Sequence, residues 1–480
     1  MRTFWTSVGL LAPVSVAFGS VLWSAKSGAD PSSPYDLKLV QVLFRHGART
    51  PLKSIPNVME PLMLTPLPSS VPVKAQWEPK LLEPPAHTHI NYVVTNLHGG
   101  PKPPAPVEDS YRKMMLTGGS FPGQLTTLGM QQLYDLGRAL RTRYMEEKAF
   151  LSPAFSLAEV YVRSTNIVRT IESAKCLVAG LFQQEQEDVL TILTEAAESE
   201  VLYPNYHGCK MLKILCGHRW TESSTLPDIA ADLQSIHRAL GIAADQRVDF
   251  VLIRDDMVAR QVRAGSRRES LCVGTPAALR MAAWEYIPAQ VELIPAHGLP
   301  CPPALDTWKS TIEQRAVDMM SHLYQPNKRW GPNTNRSCSK FTRRWVNMSP
   351  TSHREALQLS VGPLLHILLS NMEEKVQGSS SEPGRKLFLY SAHDTTLMPC
   401  LMALGIFDMR WPPYAADLTL ELYQHRQTRE AFVKVSYVGQ DQLIPGCSGL
   451  YCPLEEFRKA VSAYSLSSEL HRSLCDSTEG

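Results

Sequence analysis

The sequence predicts an α/β fold: a mixed sheet with helices on both faces, joined to a mainly helical cap. Three short apolar runs, at residues 37–44, 159–163 and 386–390, predict buried strands, and each ends in a cluster of polar residues. Two later runs, "DLTLELYQH" and "AFVKVSYVG", alternate as the strands of an antiparallel hairpin do. The 480 residues and 44% hydrophobic content suffice for a large core.

The helices predicted around these strands are amphipathic. The stretch "TTLGMQQLYDLGRALRTRYM" places its leucines on one helical stripe, with Thr126 or Thr127 as the N-cap residue. A second helix follows the strand at 159–163, a strand is predicted near residue 191, and another amphipathic helix spans about 352–372. The density of proline between residues 51 and 108 instead predicts loops and short elements over a surface.

These patterns divide the chain into a core and a cap. We assign residues 35–51, 121–200 and 350–480 to the α/β core, and residues 52–120 and 201–349 to the cap. Two stretches of the cap, near 262–296 and 326–349, show no sustained period and are interpreted as irregular insertions or as ordinary irregular cap segments.

Residues 1–30 are predicted to be a targeting segment outside the fold. No charged residue occurs between Thr3 and Ala25, and the centre of this stretch is apolar. Physical reasoning leaves three alternatives open: a secretory leader, an organellar presequence, or a membrane anchor weakened by Pro13 and several glycines and serines.

Charge and cysteine content exclude some classes of protein. The 48 basic and 46 acidic residues give a net charge of +2, so no global field favours nucleic acid. The ten cysteines show no spacing of a zinc site, and no metal is expected. Cys447 and Cys452 lie in a turn-rich segment, either as a loop disulfide in an oxidising compartment or as two free thiols in a reducing one.

The polar clusters that end the three strands carry the predicted chemistry. They are Arg45-His46-Gly47 with Arg49, Arg163-Ser164 with Asn166, and His393-Asp394-Thr395. Ligands of α/β sheets bind at the carboxyl ends of strands, so we expect these clusters to meet. Guanidinium forks match the oxygens of phosphate, so three arginines and two histidines with one carboxylate predict a phosphomonoester site.

Two of these residues are predicted to be catalytic. Neighbouring cations disfavour protonation of His46, which leaves a lone pair to attack phosphorus and form a phosphohistidine. Asp394 is the acid in the set and is expected to protonate the leaving alkoxide, with a rate that favours mildly acidic pH. Gly47 is expected to allow a close backbone approach, and Thr395 is interpreted as the N-cap residue of the next helix.

The motifs "VLFRHGARTPL" and "YSAHDTTL" resemble those of the histidine acid phosphatases, the branch of the histidine phosphatase superfamily with a larger helical cap. The similarity covers about residues 37–475. It implies the phosphoglycerate-mutase-like fold, His46 as nucleophile, Asp394 as proton donor, and a phosphate pocket made by four residues: Arg45, Arg49, Arg163 and His393.

The same resemblance implies a metal-free and cofactor-free reaction, a mitochondrial address, and lysophosphatidic acid as substrate, cleaved to monoacylglycerol and phosphate. Two apolar cap stretches, "WEPKLLEPP" and "INYVVTNL", are candidate walls for the acyl chain. The partner is then a small phosphomonoester, with no nucleic acid and no stable membrane span in the mature protein.

Two alternatives remain at this stage. A secreted, broad-specificity acid phosphatase or phytase-like enzyme would carry glycans at the sequon Asn335-Arg336-Ser337. A non-catalytic protein that binds phosphate esters would keep the pocket but release no phosphate.

Overall fold

The computed structural model describes residues 33–55, 75–183, 188–243, 246, 248–260, 297, 299, 303–324, 351–378 and 384–476. The predicted targeting segment and the two predicted insertions lie outside these residues. None of the described helices is long and apolar enough to cross a bilayer.

One mixed sheet of nine strands organises the fold. Its order is β2-β4-β3-β5-β1-β6-β7-β8, with β9 paired to β7. Strands β1 to β5 run parallel to their neighbours within that group, and β6 to β9 are antiparallel. The strands are Tyr35–Arg45 (β1), Tyr92–Asn96 (β2), Val160–Ser164 (β3), Leu190–Thr194 (β4), Leu387–Ala392 (β5), Asp417–His425 (β6), Ala431–Tyr437 (β7), Gln440–Gln442 (β8) and Cys452–Pro453 (β9).

Eleven α-helices accompany the sheet in the described part of the chain. They are Pro106–Tyr111 (α1), Thr127–Arg141 (α2), Val168–Phe182 (α3), Lys210–Thr225 (α4), Pro227–Ala239 (α5), Phe250–Arg260 (α6), Lys309–Tyr324 (α7), Thr351–Gln377 (α8), Asp394–Ala403 (α9), Leu454–Val461 (α10) and Ser468–Asp476 (α11).

Alternate side chains of β1 pack against helices on opposite faces of the sheet. Val40, Val42 and Phe44 pack with apolar residues of α2 and α3. Leu39 and Leu43 point to the other face and pack with α8, α9 and α10. The predicted α/β sheet with helices on both faces is therefore confirmed.

A third apolar cluster forms the mainly helical cap. It joins the buried faces of α4, α5, α6 and α7 to the first turns of α8 and to Trp411. A disulfide between Cys209, just before α4, and Cys475 in α11 also fastens this cluster. Cys447 and Cys452 form a second disulfide, one of the two alternatives that the sequence left open.

Two local expectations were wrong. The stretch "INYVVTNL" supplies the edge strand β2, which pairs with β4, although its segment was expected to hold loops and cap walls. Helix α9 has His393 as its N-cap residue, and the side chain of Thr396, rather than Thr395, accepts a hydrogen bond from the His393 N–H at 3.2 Å.

Candidate active site

The carboxyl ends of three adjacent parallel strands bring the predicted clusters together. Arg45 of β1 is in register with Ala392 of β5, so His46 and His393 follow directly at the same edge. Their ring centroids lie 5.5 Å apart. The third cluster joins them through Thr165, whose hydroxyl is 3.0 Å from Nε2 of His393.

The hydrogen bonding of His46 defines which nitrogen is free to react. Nδ1 lies 2.9 Å from the carbonyl oxygen of Gly47, which can only accept, so Nδ1 carries the proton of the neutral ring. Nε2 then carries the lone pair. It is buried and has no hydrogen-bond partner among the described residues. A neutral imidazole held in this way presents Nε2 as a nucleophile.

Burial and positive charge keep His46 neutral. The side chain is fully buried, and burial together with the charges of Arg169, Arg45 and Arg49 holds its pKa well below the usual value. Loss of water disfavours the imidazolium, and each guanidinium opposes a further positive charge. His46 therefore keeps its lone pair at mildly acidic pH.

Gly47 allows the His46 loop to pack against the start of α2. A Cβ atom built at Gly47 would lie 2.2 Å from the backbone oxygen of Gly129, and one at Gly129 would lie 2.1 Å from that of Ala48. The close approach expected at Gly47 is therefore one between two backbones.

Asp394 is held between a cation and an indole. Its Oδ2 is 2.7 Å from Nη2 of Arg45 and accepts a hydrogen bond of 2.9 Å from Nε1 of Trp411. Burial alone would raise the pKa of Asp394, but the charges of Arg45 and Arg49 and the Trp411 hydrogen bond lower it below the usual value. Asp394 is thus ionised in the free protein.

Arg45 and Arg49 are both buried and oriented by fixed partners. Nη1 of Arg45 donates to the carbonyl of Pro412 at 2.6 Å, and its guanidinium stacks on the Tyr414 ring at 4.1 Å. Arg49 makes a two-pronged pair with Asp255 of α6, at 2.8 and 3.3 Å. Sequence reasoning missed Asp255.

Arg163, which the sequence resemblance places in the phosphate pocket, forms a buried ion pair. Its Nη2 pairs with Oε1 of Glu200 at 3.1 Å, and both side chains are buried. The same Glu200 oxygen accepts the N–H groups of Val201 and Leu202 at 2.8 Å. Arg163 is thus engaged in a buried ion pair that supports the turn after β4.

The third arginine beside the histidines is instead Arg169. It is buried in the first turn of α3. Among the neighbouring charges, that of Arg169 has the largest lowering effect on the pKa values of His46 and His393. A cation in the first turn opposes the helix dipole, so this placement does not serve the stability of α3. An arginine at the start of a predicted helix, six residues after Arg163, was therefore a signal of an anion site that the sequence contained.

The site is prepared for an anion. Buried nitrogens without a hydrogen-bond partner among the described residues include donors on four arginines: Nε of Arg45, Nε of Arg49, Nε of Arg163, and Nε and Nη1 of Arg169. Unpaired buried donors are unfavourable, and an oxyanion ligand would satisfy them. With the lone pair on His46 Nε2, the geometry suits attack on a bound phosphoryl group.

In the described ranges, the three-residue cluster with metal-ligand atoms in reach is Cys209, His471 and Cys475, and its cysteines form a disulfide.

Known proteins have sequences and structures similar to those of this chain. The family model described as histidine phosphatase superfamily (branch 2) matches residues 36–227 and 303–438. Lysophosphatidic acid phosphatase type 6 from Bos taurus and from Homo sapiens are each 40% identical over 99% of this chain and 96% of their own length. The testicular acid phosphatase of Mus musculus is 29% identical over 71% of each chain.

Among solved structures, the fold is similar to that of Hafnia alvei phytase, with a TM-score of 0.50 and 14% identity over 92% of this chain and 98% of the phytase. Family match, identity and fold agree with the site: the chain belongs to the histidine phosphatase superfamily, branch 2, and is a histidine acid phosphatase, a phosphoric monoester hydrolase.

Proposed function

We propose that this phosphatase hydrolyses lysophosphatidic acid to monoacylglycerol and phosphate through a phosphohistidine at His46. The observation that carries the reaction is that Nε2 of His46 has no hydrogen-bond partner among the described residues, while three buried arginines act on its ring electrostatically. The name of the 40% identical relatives supports the lipid substrate.

In the first step, Nε2 of His46 attacks phosphorus while the ester oxygen leaves. Arg45, Arg49 and Arg169 bind the phosphoryl oxygens, whose negative charge matches their unpaired donors. The leaving alkoxide takes a proton from Asp394. Water then attacks the phosphohistidine, Asp394 accepts a proton from that water, and phosphate leaves.

Asp394 must gain a proton after the substrate binds. In the free site its pKa lies below the usual value because Arg45 and Arg49 compensate its charge. A bound phosphate ester competes for those same cations, which weakens the compensation and raises the carboxyl pKa. The proton can arrive on a monoanionic ester, which keeps one proton shared between phosphate and Asp394.

His46→Ala and Asp394→Asn test this assignment on two substrates: lysophosphatidic acid and an activated aryl phosphate. His46→Ala is expected to abolish hydrolysis of both. Asp394→Asn is expected to slow the alkyl ester far more, because an aryl leaving group needs little protonation. Equal losses on both substrates would remove Asp394 from the role of acid. Wild-type turnover of the aryl ester without turnover of lysophosphatidic acid would favour a broad-specificity enzyme.

We propose that the protein is located in the mitochondrion, with residues 1–30 as the presequence, on the basis of the sequence resemblance. The secretory pathway is the second candidate, and the disulfides Cys209–Cys475 and Cys447–Cys452 favour it because such bonds persist in oxidising compartments. Sequencing the mature N-terminus and treating the purified native protein with a glycosidase distinguish them. A glycan on Asn335 would establish passage through the secretory pathway.

A further inference from the structure

Two adjacent methionines are exposed in a short basic segment, residues 112–115, which we call the methionine loop. Met114 is 51% and Met115 68% exposed, and Arg112 and Lys113 beside them are also exposed. Single exposed apolar side chains are ordinary, whereas contiguous exposed apolar side chains are typical of an interaction surface.

The methionine loop is held firmly by its neighbours. Met114 donates its N–H to the carbonyl of Tyr111 at 3.2 Å, and Leu116 donates to that of Ser120 at 2.8 Å. Leu116 is buried against Trp77, whose carbonyl accepts from Ser120 at 3.1 Å. The local packing therefore depends on Leu116, while both methionines remain exposed.

Both ends of the segment that carries the methionine loop contact an arginine of the active site. At one end, the Tyr111 ring centroid lies 5.3 Å from Cζ of Arg169. At the other, a Cβ atom built on Gly123 would be 3.1 Å from Nη1 of the same arginine. The segment that carries the methionine loop therefore packs against an arginine of the active site.

We propose that the methionine loop docks the enzyme on an anionic lipid bilayer, with Met114 and Met115 entering the interface and Arg112 and Lys113 facing the headgroups. Flexible thioether side chains adapt to an irregular apolar environment, and basic residues beside them are attracted to anionic lipid. Arg112 shares its charge with Glu108 at 3.2 Å but remains 45% exposed at its side chain.

Docking there would place the phosphate site next to the surface that holds a lipid substrate. The choice of substrate rests on the proposed function, whereas binding to the bilayer does not. The mixture of apolar and basic side chains favours lipid over a symmetric contact of the methionine loop with itself in a second copy, because that contact would bring Lys113 close to its equivalent.

Flotation of the full-length protein with vesicles tests the proposal. The vesicles contain phosphatidylcholine with or without phosphatidylserine. The double variant Met114→Asn with Met115→Asn is expected to bind about tenfold more weakly than wild type. Lys113→Gln is expected to lose the part of the binding that depends on phosphatidylserine and is screened by salt.

Leu443→Asn is the matched control. Leu443 is 58% exposed and follows β8, at the edge of the sheet opposite β2, so this change should leave vesicle binding at the wild-type level. All these variants should hydrolyse a soluble aryl phosphate at the wild-type kcat/KM. The double methionine variant should lose activity selectively on lysophosphatidic acid embedded in vesicles, Lys113→Gln should do so only on vesicles with phosphatidylserine, and Leu443→Asn should not.

Three results would overturn the inference. They are a wild-type protein that does not float with either vesicle, a double methionine variant that floats equally well, and a wild-type dimer that the double variant dissociates. Flotation that depends on the methionines in an enzyme that does not cleave lysophosphatidic acid would support the docking surface and reject the proposed substrate.

Discussion

Asp255, in helix α6 of the cap, holds both Nη atoms of Arg49 at 2.8 and 3.3 Å and also accepts the N–H of Leu52 at 2.8 Å. The cap therefore orients an arginine of the phosphate site, whose Nε has no hydrogen-bond partner within the part of the chain that the structure describes. The adjacent Arg254 stacks on Trp411, the residue that donates to Asp394. Helix α6 of the cap thus contacts Arg49 of the first motif directly and Asp394 of the second motif through Trp411.

Asp255→Asn is expected to lower kcat/KM by about 10- to 100-fold, because Arg49 would lose the partner that orients its fork. Inhibition by inorganic phosphate should weaken as well. Steady-state kinetics with an aryl phosphate measure both effects. Asp256→Asn is the neighbouring control: Asp256 pairs with Arg260 and accepts the N–H of Ile55, so its loss should lower stability rather than kcat/KM. An unchanged kcat/KM in Asp255→Asn would contradict the positioning role.

Arg169→Ala is expected to lower mainly catalysis, whereas Arg163→Ala is expected to lower mainly stability. Removal of Arg169 should reduce kcat/KM by about 10- to 150-fold, as for the loss of hydrogen bonds to a charged group, with little loss of stability. Removal of Arg163 leaves the buried carboxylate of Glu200 without its cation, which should lower the free energy of unfolding by about 3–5 kcal/mol.

Urea denaturation and kinetics on the folded fraction separate these two arginines. If Arg163→Ala loses catalysis at full stability while Arg169→Ala keeps it, the phosphate pocket implied by the sequence resemblance is right and the assignment of Arg169 is wrong.

The pH dependence of kcat/KM should show a plateau at mildly acidic pH and a decline above it. The pKa of His46 is lowered by burial and by three arginines, so His46 stays neutral below pH 6.5 and no acid limb is expected near that value. The reactive complex needs one proton, brought by an ester whose second pKa is about 6, so kcat/KM should fall about tenfold per pH unit well above that. A rate that rises through neutrality would contradict this scheme.

The Cys209–Cys475 disulfide is expected to stabilise the cap strongly, because it closes a chain separation of 266 residues. Cys475→Ser should lower the free energy of unfolding by about 2–5 kcal/mol. Cys447→Ser, which opens a separation of only 5 residues, is the comparison and should have the smaller effect. If urea titrations gave equal losses of unfolding free energy for the two variants, loop closure in the denatured state would not explain the stabilisation by the longer bond.

The parts of the site that follow strand ends were predictable from sequence. His46 and His393 each follow an apolar run, and parallel strands place such ends at one edge. Helix α9 was predicted as well, although Thr396 rather than Thr395 makes the capping hydrogen bond.

The missed residues lie inside helices. Arg169 lies in the first turn of a predicted helix and not at the end of a strand, so Arg163, which ends the strand, was chosen instead. Asp255 contacts Arg49, from which it is separated by 206 residues of sequence. Adjacent charged residues in a helix, such as Arg254 and Asp255, usually lie on its solvent-exposed face. Tertiary packing of the cap, rather than a local motif, makes that contact.

The central claim is that phosphate passes through a covalent bond to His46. Rapid acid-free quenching of the enzyme with an aryl phosphate, followed by peptide mass spectrometry, measures it directly. The account predicts an alkali-stable, acid-labile phosphoryl group on His46 that forms within one turnover and is absent from His46→Ala. Full turnover in His46→Ala, or a phosphoryl group on another residue, would contradict it.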